Sequence, residues 1–566
     1  MTLPRPVRSV LQALRHRGPF RLATQTAGVL WREGPRGIAR RLQTHHAPAM
    51  LPTDPGADPR SCIIVTTPHV AHVARMMDAI LTGHGYSVQI ATDTAGAERF
   101  ALAFVLCPQM FATLPPNPIV FQMEQSVSSR WFTPDYLERL RRARAVLDYS
   151  TSNIAWLRQQ GVPLERLYHV PLDTDPTIPE SAAPRSGVLF YGDASSSRRR
   201  ALLQRLQVAL PELEIAQNLF GAELAERLDR TAVVLNLHFY DGALLETARL
   251  NQVLSHGALV VSEAGSDAEQ HADLASIVDF APVGDVEALI RLVRGILDQP
   301  AAERAVRHAR VRAHATRPGN RFRTGFRRFL LAQGIITSEE WRAAESPPAL
   351  SPPARLCLTL PETPERGRAF LAQPQAAGFR MWTGLRAAPG WRGAALAHAD
   401  LCRCLLAQGI DEAVICEDDV IFPDGFDARF AAVRSCLDAK PDWELFSGLI
   451  ADADPGWRVT GAEEHGGVLL ARLDHSVSMV FNILRRPVIE HLAAWDDRND
   501  DPFTNTIDRW LARRPTRVVT ALPFLVGHRP GSTLRDASVT HYDRLIAASQ
   551  TRLMAQARIH LNRSGG

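Results

Sequence analysis

From Ser61 onward the chain alternates short apolar runs with amphipathic stretches at helical spacing, and it does so twice. Cys62-Ile-Ile-Val-Thr66 reads as a strand, Val70 to Leu81 as an amphipathic helix and Ser87 to Ala91 as the next strand, and Ala101 to Cys107 and Pro118 to Gln122 continue the series. A second series opens at Gly187-Val-Leu-Phe-Tyr-Gly192, with strands at Ala232 to Leu237 and Ala258 to Ser262 and helices between. Alternating βα units build parallel, doubly wound sheets, so the expectation is two Rossmann-type lobes, residues 56–184 and 185–336. Residues 337–353, rich in Ser, Pro and Ala, read as a linker to a further α/β domain at 354–566. A chain of 566 residues is too long for one core, and two to four domains are expected.

In that last domain an apolar run, Ala413-Val-Ile-Cys416, leads into Glu417-Asp418-Asp419, and a second short run, Val420-Ile-Phe422, stops at Pro423. This reads as a buried strand ending in an acidic knuckle. Strand alternation puts Glu417 and Asp419 on one side and Asp418 on the other. Three adjacent acids repel one another, and a divalent cation relieves the repulsion. Hard oxygen ligands suit Mg²⁺ or Mn²⁺, ions that keep open positions for phosphate oxygens. The plainer alternative is a solvated acidic turn.

Upstream, Trp391-Arg-Gly393-Ala-Ala-Leu396-Ala397-His398 opens a helical pattern that runs through Leu401, Leu405 and Leu406 to Gly409. With the knuckle, this resembles glycosyltransferase family 25, the lipopolysaccharide and collagen galactosyltransferase-like family. The likeness extends to Arg355-Leu-Cys-Leu-Thr-Leu360 with Glu365-Arg366, and to Trp443-Glu-Leu-Phe-Ser-Gly448. It continues through Asn505-Thr-Ile-Asp508 and the segment from Pro523 through His528 and Ser532 to Arg535, covering roughly 354–540. The resemblance implies a GT-A-like fold and a nucleotide-sugar donor whose diphosphate leaves with help from a metal. It implies Glu417, Asp419 and His528 as metal ligands, His398, Glu417 and Asp418 in the donor site, and Asp419 as catalytically essential. Asp508 is the implied base or acceptor contact, with Asp500 and Asp501 as alternatives. Ala397 stands where the family usually has serine, so a hydroxyl role is lost there.

The second lobe resembles group-1-type GT-B glycosyltransferases of bacterial polysaccharide clusters. The likeness rests on Val234-Leu-Asn236-Leu-His238-Phe-Tyr240, Leu245-Glu246-Thr-Ala-Arg249, Leu259-Val-Val261-Ser-Glu263 and Tyr191-Gly192 followed by Arg198-Arg199-Arg200. In the first lobe it rests on Phe121-Gln-Met-Glu124-Gln125 and Asp148-Tyr149-Ser150. The resemblance implies a diphosphate held by backbone N–H groups near Gly192 and by Arg198 and Arg199, a sugar or ribose hydroxyl held by Glu246, and no metal in this half. The paired glutamates of many retaining members are absent, since Leu254 stands eight residues after Glu246. Without the resemblance, Arg198 to Arg200 read as a solvated helix start.

Charge argues against nucleic acid. Residues 1–50 hold nine arginines and one acid, Glu33, a net of +8 in a chain whose total is +4, so the remainder carries −4. In that arm Val7, Val10, Leu11 and Leu14 fall at helical spacing among Arg8, Arg15 and Arg17, and Pro19 ends the pattern. It reads either as a basic amphipathic segment touching anionic membrane or as a solvated arm. Seven cysteines without a Cys-x-x-Cys pair fit a reduced cytoplasm, and no apolar run approaches a membrane span. The expectation is a bacterial, cytoplasmic glycosyltransferase, peripheral at the inner face of the membrane if the arm binds lipid, with two modules. It would use a nucleotide-sugar donor and a lipopolysaccharide, capsule or lipid-linked glycan acceptor. The alternatives are one active C-terminal module beside a degenerate GT-B module, a non-catalytic carbohydrate-binding component, or a metal-dependent hydrolase.

Overall fold

The computed structural model describes residues 56–344, 348–453, 456–529 and 539–564. The basic arm and the segment 530–535 lie outside the described residues, and so do the readings placed on them. Two compact units divide between Phe329 and Leu330.

The first unit holds two parallel sheets. One has β1 (Ser61–Val65), β2 (Ser87–Ala91), β3 (Leu102–Leu106), β4 (Ile119–Gln122), β5 (Ala145–Asp148) and β6 (Leu167–His169), in the order β2-β1-β3-β4-β5-β6. The other has β7 (Ser186–Tyr191), β8 (Leu213–Ala216), β9 (Thr231–Asn236), β10 (Leu259–Glu263) and β11 (Val278–Ala281), in the order β11-β10-β9-β7-β8. Strands β3, β4, β5, β9 and β10 are buried along their whole length, as parallel strands covered on both faces must be. In each sheet the order reverses beside the first strand, between β1 and β3 and between β7 and β9. The loops that follow these strands diverge there and leave a crevice at the carboxyl ends.

The helix Arg321–Ala332, whose residues up to Phe329 belong to this unit, returns to the first lobe, although the sequence places it in the second. Phe326 meets Phe104 edge-on at 5.7 Å, and Phe329 meets Tyr168 at 5.0 Å. Fully burying such a ring stabilises by about 2–3 kcal/mol, and the lobe needs the helix to cover its sheet.

The stretch 337–353, expected as a linker, contains the helix Ser338–Ala344. Thr337 and Glu340 form a reciprocal cap: the Glu340 N–H donates to the Thr337 hydroxyl at 3.1 Å, and the Thr337 N–H donates to the Glu340 carboxylate at 2.7 Å. Composition alone missed this.

The second unit is built on an eight-stranded mixed sheet. Its strands are β12 (Ala354–Thr359), β13 (Arg380–Thr383), β14 (Glu412–Glu417), β16 (Leu445–Ser447), β17 (Val459–His465), β18 (Val468–Leu473), β19 (Phe481–Arg485) and β20 (Val518–Leu522). The order is β13-β12-β14-β19-β16-β20-β18-β17, with β14 parallel to β12 and antiparallel to β19. A two-stranded clasp pairs β15 (Val420–Ile421) with β21 (Gly527–His528). The helix Gly390–Ala407 comes close to the 386–387 backbone, where a Cβ on Gly393 would lie 2.7 Å from the Ala387 nitrogen. That close approach explains the glycine. Among the described residues no helix is long and apolar enough to cross a membrane, and all seven cysteines are free thiols.

Candidate functional sites

The second lobe's switch point lies where β7 ends in Tyr191-Gly192 and β9 ends in Asn236-Leu237-His238. Gly192 has φ +124°, and a Cβ there would meet the Arg249 guanidinium at 2.8 Å. Glu246 accepts from Arg199 Nη2 at 2.7 Å and pairs with Arg249 Nη2 at 3.2 Å, and His238 Nδ1 is 4.0 Å away. Burial works to raise the Glu246 pKa, but Arg249 and Arg199, with His238, more than offset it, so the carboxylate is held below its ordinary range. Arg249 also donates to the Tyr191 carbonyl at 2.7 Å, which fixes the peptide that presents Gly192.

The two arginines expected at the diphosphate are held inside the protein. Arg199 is 3% exposed and donates to the carbonyls of Leu237 at 2.9 Å and Asp193 at 3.0 Å as well as to Glu246. Arg198 forks onto the buried Glu263, with Nη1 at 2.8 Å, and reaches the His238 carbonyl and Asp241. Both sit in the first turn of the helix Ser197–Ala209, which Ser196 caps by accepting the Arg199 N–H at 3.1 Å. They are neither the solvated helix start nor a pair aimed at the cleft. They position the ends of β9 and β10 and the Glu246 carboxylate.

Across the cleft, the first lobe brings the loop after β4. Gln125 accepts the Leu244 N–H at 2.9 Å, and a Cβ on Gly242 would lie 3.9 Å from the Val127 side chain. Further contacts join the carboxyl ends of the two sheets. Gln270 accepts from Thr151 at 2.6 Å and donates to Ser152 at 2.8 Å, and Asn251 donates to the Leu172 carbonyl. At the first switch point Cys107 and His69 Nε2 are 3.6 Å apart. Burial pushes the Cys107 thiol up to about 12, so it is neutral. Sequence reasoning gave no role to Arg130, an exposed cation whose field reaches both Glu124 and Asp193. Nor did it give one to Arg249, although its spacing three residues after Glu246 on a helix was a readable signal.

In the second unit the strand stops at Glu417, and Asp418-Asp419 form a turn before β15. The expected alternation therefore fails, and the two aspartates converge. Arg366 Nη2 pairs with Asp418 Oδ1 and lies 2.9 Å from Asp419 Oδ2. Thr359 donates to Asp418 Oδ2 at 2.7 Å, and His528 Nε2 is 3.4 Å from Asp419 Oδ2. Burial raises the Asp418 pKa, with Arg366 and Thr359 opposing. Glu417 lies beside His398, 3.9 Å from its Nε2, and within the field of Arg366. His398 donates from Nδ1 to the Ala394 carbonyl at 2.9 Å. Burial lowers its pKa to about 4, against the pull of that carbonyl and of Asp508. At neutral pH it is an uncharged acceptor whose buried Nε2 has no hydrogen-bond partner, so a hydroxyl entering there can donate to it.

Asp508 opens the short helix Ile507–Leu511, accepts the Thr506 hydroxyl and the Arg509 N–H at 2.9 Å, and lies within electrostatic reach of His398. Glu417, His398 and Asp508 thus share one neighbourhood. Asp500 and Asp501 precede it, and Asp501 caps the turn Pro502–Asn505. The trio Glu417, Asp419 and His528 does not fit a metal site as expected. Among the described residues no three metal-ligating side chains come together, and Arg366, within the field of all three carboxylates, supplies the positive charge between the aspartates.

No protein-family model and no curated protein matches this sequence, so the family 25 resemblance rests on the motifs alone. Among solved structures the chain is similar to WaaG, a glycosyltransferase involved in lipopolysaccharide biosynthesis, at 11% identity and TM-score 0.35, over 49% of this chain and 99% of that one. It is similar to Anabaena Alr3699/HepE in complex with UDP and glucose, at 10% and 0.32, over 45% and 93%. It is also similar to sucrose-phosphate synthase from Thermosynechococcus elongatus, at 13% and 0.33, over 50% and 100%.

Proposed function

We propose that this protein is a glycosyltransferase that takes a sugar from a nucleotide-diphosphate donor and passes it to a glycan, such as a lipopolysaccharide, capsule or lipid-linked acceptor. The observation that carries the reading is that one unit brings the carboxyl ends of two parallel sheets together, joined there by the Gln125–Leu244 and Gln270–Thr151 hydrogen bonds. Each sheet has its strand order reversed there, and a glycine backbone, a helix N-terminus and a polarised carboxylate stand on the second lobe's side. This is a GT-B-like arrangement. In it Gly192 allows close approach of the diphosphate, the N-terminus of Ser197–Ala209 faces its charge, and Glu246 accepts a donor hydroxyl.

The second unit is read as a GT-A-like module. It is favoured by the neutral His398 beside Glu417 at the end of β14, with Asp508 nearby as the group to take a proton. Calorimetric titration of the full chain with UDP, GDP and their sugars, in EDTA and then with Mn²⁺, tests the proposal. Binding of one nucleotide in EDTA is expected, and it should weaken in Glu246→Gln. No binding by any of them under either condition refutes the proposal. Binding confined to Mn²⁺ would move the donor chemistry out of the cleft.

A further inference from the structure

The loop 124–127 closes the first lobe's side of the cleft. Glu124 stands where β4 gives out, its backbone pinned on three sides. Its N–H donates to the Gln122 side chain at 2.5 Å, and its carbonyl accepts from Gln122 at 2.7 Å and Asn153 at 2.9 Å. The next residue is bound to Leu244 of the opposite lobe, two residues from Glu246. The Glu124 carboxylate accepts the Gln125 N–H at 3.2 Å and is half-buried. It is thus a carboxylate on a well-bonded backbone, one residue from the Gln125–Leu244 contact between the lobes and within electrostatic reach of Glu246.

We infer that Glu124 is the residue that takes the proton from the acceptor hydroxyl during transfer at the interlobe cleft. This rests on the donor site proposed above. The acceptor oxygen bonds to the anomeric carbon and the bond from that carbon to the diphosphate oxygen breaks. Its electron pair leaves on the nucleoside diphosphate, and the hydroxyl proton passes to the Glu124 carboxylate. The groups whose fields reach Glu124 are Glu246 across the cleft, Arg130 on its own loop, Cys107 after β3, Tyr136 on the helix Pro134–Arg142, and Tyr149 after β5. Burial, with Glu246 adding to it, pushes the carboxyl up to about 7, against the Gln125 N–H, Ser129 and Arg130. A base tuned there is half deprotonated at neutral pH and still strong enough to accept a proton.

The test uses the full chain in a Glu417→Gln, Asp508→Asn background, so that turnover at the second unit does not mask the cleft. Release of UDP or GDP is followed from UDP-glucose, UDP-galactose, UDP-N-acetylglucosamine and GDP-mannose, with water or free monosaccharides as acceptors. Glu124→Gln should lower release by about 100-fold or more, with UDP or GDP affinity changed less than about threefold. It should also abolish a limb of the pH–rate profile near 7 that Glu124→Asp retains in shifted form. Retained release with the limb intact in Glu124→Gln overturns the inference and leaves the donor site standing, as does a parent that binds nucleotide but releases none. A parent that binds no nucleotide overturns both.

Discussion

Arg366 is the residue on which the acidic turn of the second unit depends, and its removal has a calculable effect. Asp418 and Asp419 are each 3% exposed, and both lie against its Nη2. Arg366→Met keeps most of the volume and removes the charge. Breaking one side of a buried ion pair costs about 3–5 kcal/mol, and each 1.4 kcal/mol is tenfold in an equilibrium. Amide exchange of Asp418, whose N–H donates to the Leu358 carbonyl at 3.1 Å, should therefore lose about two to nearly four decades of protection at pH 8. The pH sign follows from Asp418. Its pKa in the folded chain is raised above the ordinary 3.8, and losing Arg366 raises it further. The folded variant then holds its proton to higher pH than the unfolded chain does. The deficit is absent below 3.8, where both states are protonated, and grows as pH rises through the folded value. Adding Asp418→Asn and Asp419→Asn to Arg366→Met should restore most of the protection. Hydrogen-exchange mass spectrometry of peptides spanning 412–421, at pH 5 and pH 8, reads all of this. Unchanged protection at pH 8 in Arg366→Met would show that the aspartates do not need the guanidinium.

Gly192→Ala should cost about 1–3 kcal/mol, because φ +124° is strained for a side chain and the new Cβ meets Arg249 at 2.8 Å; calorimetry should show a lower melting temperature together with weaker UDP or GDP binding. Phe326→Ala removes a fully buried ring between the last helix and β3 and should cost about 3–5 kcal/mol, read as earlier urea unfolding by tyrosine and tryptophan fluorescence. Thr337→Ala removes one half of the reciprocal cap and should cost about 1 kcal/mol, seen as faster amide exchange confined to 338–344.

The strands that proved legible are those whose neighbours in the sheet do not matter to their pattern. Runs such as Ile63-Ile-Val65 and Val233-Val-Leu235 are apolar because both faces are covered, and each lies within a strand. What failed was anything set by a distant partner. The alternation predicted for Glu417 to Asp419 assumed that the strand continues, and it stops where Asp418 turns to bond Leu358 and Thr359, nearly sixty residues back. Arg198 and Arg199 were rightly placed at a helix start, but their carboxylate partners, Glu263 and Glu246, lie on other elements that the local sequence does not indicate. Glu124 shows the same limit, since its neighbour Glu246 belongs to the other lobe. The cap at Thr337-Ser-Glu-Glu340 was readable and was hidden by a composition that resembles a linker.

The clasp between β15 and β21 has a consequence for the order in which the protein is made. Val420 pairs with His528, and the Arg529 N–H donates to the Asp419 carbonyl at 2.8 Å, so the acidic turn is closed by residues roughly a hundred positions later. During synthesis the ribosome releases the turn well before its closing strand. For that interval the two aspartates have Arg366 as a neighbour already translated, but neither the ladder of β21 nor the imidazole of His528. A chain halted before Gly527 would leave the turn open at one edge, and the first unit, whose sequence is complete by then, would be free to fold ahead of it.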